Sequence, residues 1–405
     1  MIKKIAGGVL GVVVIGVGAI YASAYTNMGQ KPDEEHKAQL AQSDQWADGS
    51  FANKLPMVRG PLNEIFRQFI LEPTDHNRPQ QPVPTETIGD RLNTPPESGA
   101  RVTWFGHSTL LVELEETRIL IDPVWSKRAS PLPWAGVERF YDPLIALEDL
   151  PEIDAVVISH DHYDHLDMAT VQKLAQKRVQ WIVPLGVGSH LEYWGVASAD
   201  ITELDWWQSA NVEETTVTAT PSRHRSGRSV TFSDVNATLW AGWAFNGPEH
   251  AVFYSGDTGM HDRFEEIGER LGPFDLTVIE TGAYNPLWKD THLGPEQAVL
   301  AHKLVKGKTM LPVHWGLFDL SSHNWTEPVE RVMVAAEKYG VDLAVPLPGG
   351  SVEPGQVVST TAWWPQVPWK TSEERPIWAT RVEEIVKRAK EMNSGEPRVA
   401  SRPSN

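Results

Sequence analysis

Hydrophobic positions along this chain change texture three times. Residues Ile5 to about Tyr21 form one continuous apolar run. From Asn27 to about Gly99 neither helical nor strand periodicity is present, and prolines recur in "EPTDHNRPQQPVPTETIGDRLNTPPESG". One short amphipathic helix is predicted there, near "GPLNEIFRQFILE". From Arg101 short apolar runs take over. "RVTWFGHSTLLVELEETRILIDPVW" predicts two strands joined by a tight turn around Glu115–Thr117. "IDAVVISH" and "VQWIVPLG" read as strands, and "MATVQKLAQKR" between them has helical spacing. Strand, loop and helix alternate in this way to about Leu347, which predicts an α/β layered domain. The predicted units are a leader over residues 1–24, an extended arm over 25–99, a catalytic domain over 100–365, and a helix ("TRVEEIVKRAKEMN") with an irregular tail over 366–405.

The leader changes the expected location. Lys3 and Lys4 precede the apolar run, and the small residues Ala22, Ser23 and Ala24 follow it. Such a sequence is a secretory signal peptide, or an uncleaved anchor, since the run approaches the roughly 17–20 residues of a minimal span. The expectation is an envelope protein, anchored in the inner membrane or exported to the periplasm. Composition narrows the partners. The net charge of −17 repels nucleic-acid phosphates, which argues against nucleic acid as a partner. Absence of cysteine excludes disulfides and thiolate metal ligands.

Candidate chemistry is concentrated in "VVISHDHYDHLDM". Three of the chain's 14 histidines and three aspartates fall within eight positions, directly after an apolar strand. His160 and His162 are one residue apart, so extended backbone points both imidazoles to one side, where they can share a metal. Asp164 and His165 follow on the turn and can serve a second metal. Two ions need more than four donors. Three further strand ends offer them: His224 in "TATPSRHRSGRS", Asp257 in "AVFYSGDTGM", whose two oxygens can bridge two cations, and His314 in "MLPVHWGLFDL". Asp161 lies between two candidate ligands and is expected to face away.

The order His-x-His-x-Asp-His, then His, then Asp in "SGDTG", then His, resembles the metallo-β-lactamase fold. "WFGHSTLLVEL", "IDPVWSKRASP", "ELDWWQ", "ETGAYNP", "HLGPEQAV" and "PVHWGLF" resemble, more narrowly, the N-acyl-phosphatidylethanolamine-hydrolysing phospholipase D branch of it. The likeness runs over roughly residues 50–365. It implies a four-layer αββα sandwich and two Zn2+, one held by His160, His162 and His224, the other by Asp164, His165 and His314, with Asp257 bridging. Ligand type alone equally admits iron or manganese. The resemblance also places His292, in "DTHLGPEQAV", near the substrate, as a group that could donate to an oxyanion or leaving group. Asp164 and His292 are therefore the candidate catalytic residues. His107 and Asp122 are candidates for orienting metal-bound imidazoles. His323 and Trp325 are candidates for lining the cleft.

The implied reaction is hydrolysis of a phospholipid phosphodiester by a metal-activated water, with the membrane surface as a partner. Among the 17 tryptophans, some suit a lipid-facing cleft while more than half are expected in the core. A lactonase or other small-molecule carbonyl hydrolase would use the same metals, and Arg223, Arg225 and Arg228 around His224 would serve an anionic ligand in either case. A non-catalytic metal-binding envelope protein fits poorly, because structural zinc sites are closed and usually mononuclear.

Overall fold

The computed structural model describes residues 18–68, 76–356 and 362–392. Two seven-stranded sheets form its centre. The first runs Ile201–Leu204, Gln180–Pro184, Ala155–Val157, Thr117–Ile121, Thr109–Leu114, Ala100–Gly106, Ser351–Val352. Its first four strands are parallel to one another and the rest pair antiparallel. The second runs Ser209–Val212, Thr215–Thr220, Gly242–Asn246, Ala251–Tyr254, Phe274–Glu280, Gly307–Val313, Asp342–Leu343, passing from antiparallel to parallel at Ala251–Tyr254.

Alternation along each strand explains the layering. Leu110 and Val112 face a core between the sheets, while Leu111 faces outward into a second core with Val171, Leu174 and Leu191 of the covering helices. Val252 and Tyr254 face the central core, while Phe253 faces a third with Leu300, Leu304 and Val332. Because both faces of these strands are buried, the sequence shows apolar runs rather than clean alternation. Trp104 and Trp243 are fully buried between the sheets. Each such aromatic hides roughly 150–250 Å², about 4–6 kcal/mol of transfer free energy. The four layers implied by the family resemblance are thus present. The C-terminal helix, Glu383–Glu391, packs on Pro295–Leu304 in the outer layer.

One local expectation fails. The stretch from Arg101 folds as three strands rather than two, because the chain also reverses at Gly106 (φ 114°) and His107 (φ 53°). The Glu115–Thr117 turn is present, between Leu114 and Thr117. Of the predicted leader, residues 1–17 lie outside the described residues, and 18–28 are helical. Among the described residues no helix is long and apolar enough to cross a membrane. In the arm, helices Glu34–Leu40 and Leu62–Phe66 form, the second within the predicted amphipathic stretch.

Candidate metal centre

The site lies along one edge of the sandwich, where strands of both sheets end. His160 and Asp122 follow the adjacent parallel strands Ala155–Val157 and Thr117–Ile121. Asp257 and His314 follow parallel strands of the second sheet, and His224 follows Thr215–Thr220. Rigid strands therefore aim donors from distant parts of the chain at one point.

Two sets of donors converge. In the first, Nδ1 of His162 lies 2.9 Å from Nε2 of His160 and 3.3 Å from Nε2 of His224. Oδ2 of Asp257 stands 3.7 Å from both of those Nε2 atoms. In the second, Nε2 of His165 is 3.3 Å from Oδ2 of Asp164 and 3.3 Å from Oδ1 of Asp257. Nε2 of His314 is 3.4 Å from Asp164 and 3.1 Å from Oδ2 of Asp257. Ligands about 2.0–2.1 Å from a tetrahedral ion stand roughly 3.3–3.4 Å apart, so both sets match a cation at their centre. Asp257 belongs to both.

Hydrogen bonds around the donors fix their tautomers. Nδ1 of His224 donates to the Thr291 carbonyl at 2.9 Å, which leaves Nε2 as a lone pair facing inward. The Ser159 hydroxyl donates to Asp122 at 2.6 Å and accepts from Nδ1 of His160 at 3.0 Å. Nδ1 of His165 donates to Asp122 at 2.7 Å. Asp122 is completely buried and also accepts from the Tyr254 hydroxyl and the Ser159 backbone N–H. It holds the His165 ring directly and the His160 ring through the Ser159 hydroxyl. His107 differs from expectation: its Nε2 holds the Asp164 carboxylate at 2.9 Å rather than an imidazole.

Charge at the site calls for a cation. Nε2 of His165, Nε2 of His314 and Oδ1 of Asp257 are buried without hydrogen-bond partners. Burial pulls the imidazoles of His162 and His224 down to about 3, so both are neutral donors. Burial also acts on His314 and His165. There the carboxylates overcome it: Asp257 and Asp164 push His314 up to about 10, and Asp257, Asp164 and Asp122 raise His165 strongly. Protons on these two rings thus offset carboxylate charge that a metal ion would neutralise better. The residues present fit two divalent ions.

Asp161, as expected, faces away: its carboxylate accepts from the Gly227 N–H at 2.8 Å and the Thr238 hydroxyl at 3.0 Å. His292 lines the cleft over the site with its Nδ1 on Oε2 of Glu280 at 2.8 Å. Sequence reasoning gave Glu280 no role. It is fully buried, accepts also from the backbone N–H of Thr258 and Leu293, and is raised by burial and by the nearby Asp257 charge. The rule that found Asp257, an acid closing an apolar strand, applies equally to "LTVIE". His323 and Trp325 are not in the cleft wall. His323 stacks on Tyr284 at 4.4 Å, and Trp325 is buried in the central core.

The cleft has a volume of about 430 Å³. Metal-site residues form its floor, and Met57, Val58, Ile65, Val235, Trp288 and Leu320 supply apolar wall. Three of these come from the arm, which is therefore part of the site. Of the three arginines near His224, only Arg225 lines the cleft. Arg223 is buried against Asp290 at 3.0 Å. Arg228 is buried, donating to the Leu166 carbonyl at 2.8 Å and stacking over Tyr163 at 4.0 Å.

A sandwich of two mixed sheets with His and Asp donors gathered at strand ends defines a metallohydrolase class. The model of the Beta-lactamase superfamily domain matches residues 117–315. The uncharacterized protein Rv0906 of Mycobacterium tuberculosis is 47% identical over 81% of this chain and 89% of its own length. The N-acyl-phosphatidylethanolamine-hydrolyzing phospholipase D 1 of Caenorhabditis elegans is 38% identical over 68% of this chain and 82% of its own. The isothiocyanate hydrolase from Delia radicum gut bacteria shares the fold, at TM-score 0.50 and 20% identity, over 62% of this chain and 98% of that one. The chain belongs to the metallo-β-lactamase superfamily of metal-dependent hydrolases, and it resembles the N-acyl-phosphatidylethanolamine-hydrolysing phospholipase D branch.

Proposed function

We propose that this protein is a dinuclear zinc phosphodiesterase that hydrolyses N-acyl-phosphatidylethanolamine-like phospholipids. The observation that carries the reading is two adjoining donor sets, His160, His162, His224 and Asp257, and His107, Asp164, His165 and His314, with Asp257 also facing His165 and His314, under a cleft with apolar walls. The likeness to the nematode phospholipase D supports the lipid substrate. Bound there, two divalent ions supply an activated water and neutralise charge on the phosphoryl oxygens. His160, His162 and His224 would hold one ion, and Asp164, His165 and His314 the other. His292, its Nδ1 bonded to Glu280, lines the cleft, where it would take a proton from the attacking water and pass it to the departing alkoxide. Burial pulls His292 down to about 3, so the ring rests neutral and must gain the water's proton before it can give one.

A membrane surface fits the exterior. Tyr21 and Tyr25 are exposed on the helix that continues the apolar leader. Trp134, also exposed, reaches Ser23 of that helix at 3.4 Å. Exposed Val58 and Val235 stand at the cleft mouth. We infer an envelope location, with the cleft mouth toward the lipid. The test is metal content together with lipid turnover followed by mass spectrometry. About two zinc per chain and release of phosphatidic acid are expected. Two metals with turnover of soluble lactones but not of lipids would replace the reading with a small-molecule hydrolase.

A further inference from the structure

Among the described residues two arginines of the cleft lack a counter-ion. Arg59 and Arg225 both line it, and the acids beside them, Asp164 and Asp257, belong to the two donor sets. Among the described residues neither arginine has a carboxylate within 4.0 Å or a side-chain hydrogen bond, whereas Arg223 pairs with Asp290, Arg101 with Glu113 and Arg331 with Glu296. Arg225 is half-buried while Arg59 is exposed at the mouth, and burial and the neighbouring Arg59 charge both press on the Arg225 guanidinium, so an anion between the two would relieve a cost that Arg225 carries.

Their backbones are pinned. The N–H of Val58 donates to buried Asp290 at 2.8 Å, and the N–H of Gly60 to the Leu287 carbonyl, so Arg59 is bracketed on both sides. Asn53 donates to the His224 carbonyl at 2.6 Å, and the Ser226 hydroxyl to the Thr238 carbonyl at 2.6 Å, which brackets Arg225. One arginine comes from the arm and the other from the loop that follows Thr215–Thr220. They meet only because the arm crosses the site.

We propose that Arg59 and Arg225 form an anion clamp that receives the phosphate of a diester substrate at the mouth of the metal cleft. The inference rests on the phosphodiesterase reading for its substrate but not for its anion. Guanidinium groups present paired N–H donors that match phosphate oxygens, and such charge-assisted bonds are the strong ones. The clamp also gives an acidic protein a local positive field where its substrate enters.

The test uses the metal-loaded full chain and inorganic phosphate as probe, by calorimetry, with Arg59→Ala, Arg225→Ala and Arg225→Lys. Each alanine variant is expected to weaken phosphate binding about 10- to 100-fold, and the lysine variant to recover part of the loss. In turnover, the ratio of kcat/KM for bis(p-nitrophenyl) phosphate over that for neutral p-nitrophenyl butyrate should fall at least about 10-fold, mainly through KM. A merely structural role would lower both substrates alike and leave the ratio. Phosphate affinity within about twofold of wild type in the folded alanine variants would overturn the clamp, even if diesters are cleaved. Arginine-dependent phosphate binding without diester cleavage would keep the clamp and sink the phosphodiesterase reading. Arginine-dependent cleavage of phospholipid vesicles, but not of the soluble diester, would support the clamp and identify a lipid headgroup as its source of phosphate.

Discussion

Replacing Asp122 by Asn separates orientation from charge at the centre. Asp122 accepts from the Ser159 N–H at 2.7 Å through Oδ1, and through Oδ2 from the Ser159 and Tyr254 hydroxyls at 2.6 Å each and from Nδ1 of His165 at 2.7 Å. In Asp122→Asn the two hydroxyls can rotate to accept from the new amide. His165 cannot rotate a proton away. If the amide nitrogen faces it, the proton moves to Nε2, the atom 3.3 Å from both Asp164 and Asp257, and that nitrogen ceases to be a metal donor. If the amide flips, the Ser159 N–H is left facing a donor, which costs roughly 1–3 kcal/mol in a buried site. Groups that orient metal-bound histidines typically contribute about 10- to 100-fold in affinity, or roughly 1.4–2.8 kcal/mol. Chelator titration with metal analysis should therefore show one of the two equivalents leaving at lower chelator concentration, with near-ultraviolet dichroism unchanged. Two equivalents held as tightly as in wild type by the folded variant would refute the assignment.

Asp257→Ala removes a donor common to both sets and is expected to lose both ions, whereas His224→Ala should lose one; elemental analysis after dialysis separates the two. His292→Gln should lower kcat about 10²- to 10⁴-fold while retaining two ions, and loss of metal with activity would instead make it a ligand. The Glu203 carboxylate, bonded to His36 at 2.9 Å, holds that imidazole above its ordinary value against partial burial. The resulting stability is fully present below about pH 6.5 and is lost as pH rises through the folded value. Urea midpoints should fall more steeply above pH 6.5 for wild type than for His36→Gln, and parallel profiles would show that the pair contributes nothing.

Much of the centre was legible in the sequence because its donors obey a local rule. His160, Asp257 and His314 each close an apolar strand, and strand ends in layered α/β proteins are where side chains gather. The same rule reaches Glu280, which was passed over because nothing local distinguishes it from an acid that merely leaves the core. The turn at His107 was missed because the apolar residues on its two sides read as one strand, and only pairing with Thr109–Leu114 shows the break.

What the chain determined by itself was most of the strand positions, the layered class and the residue types of the donor cluster, all properties of short windows. Tertiary structure decided which arginine reaches the cleft, since Arg223, Arg225 and Arg228 sit in one loop but only Arg225 points to the site. It decided that Asp161 serves a Gly227–Thr238 network while Asp164, three residues on, faces His165 in the donor cluster. It brought the arm across the centre to supply Arg59 and Val58. Periodicity fixes which way a side chain leaves its own strand or helix. The direction of an irregular loop is set by partners distant in sequence, such as Asp290 and Leu287, and no local pattern records them.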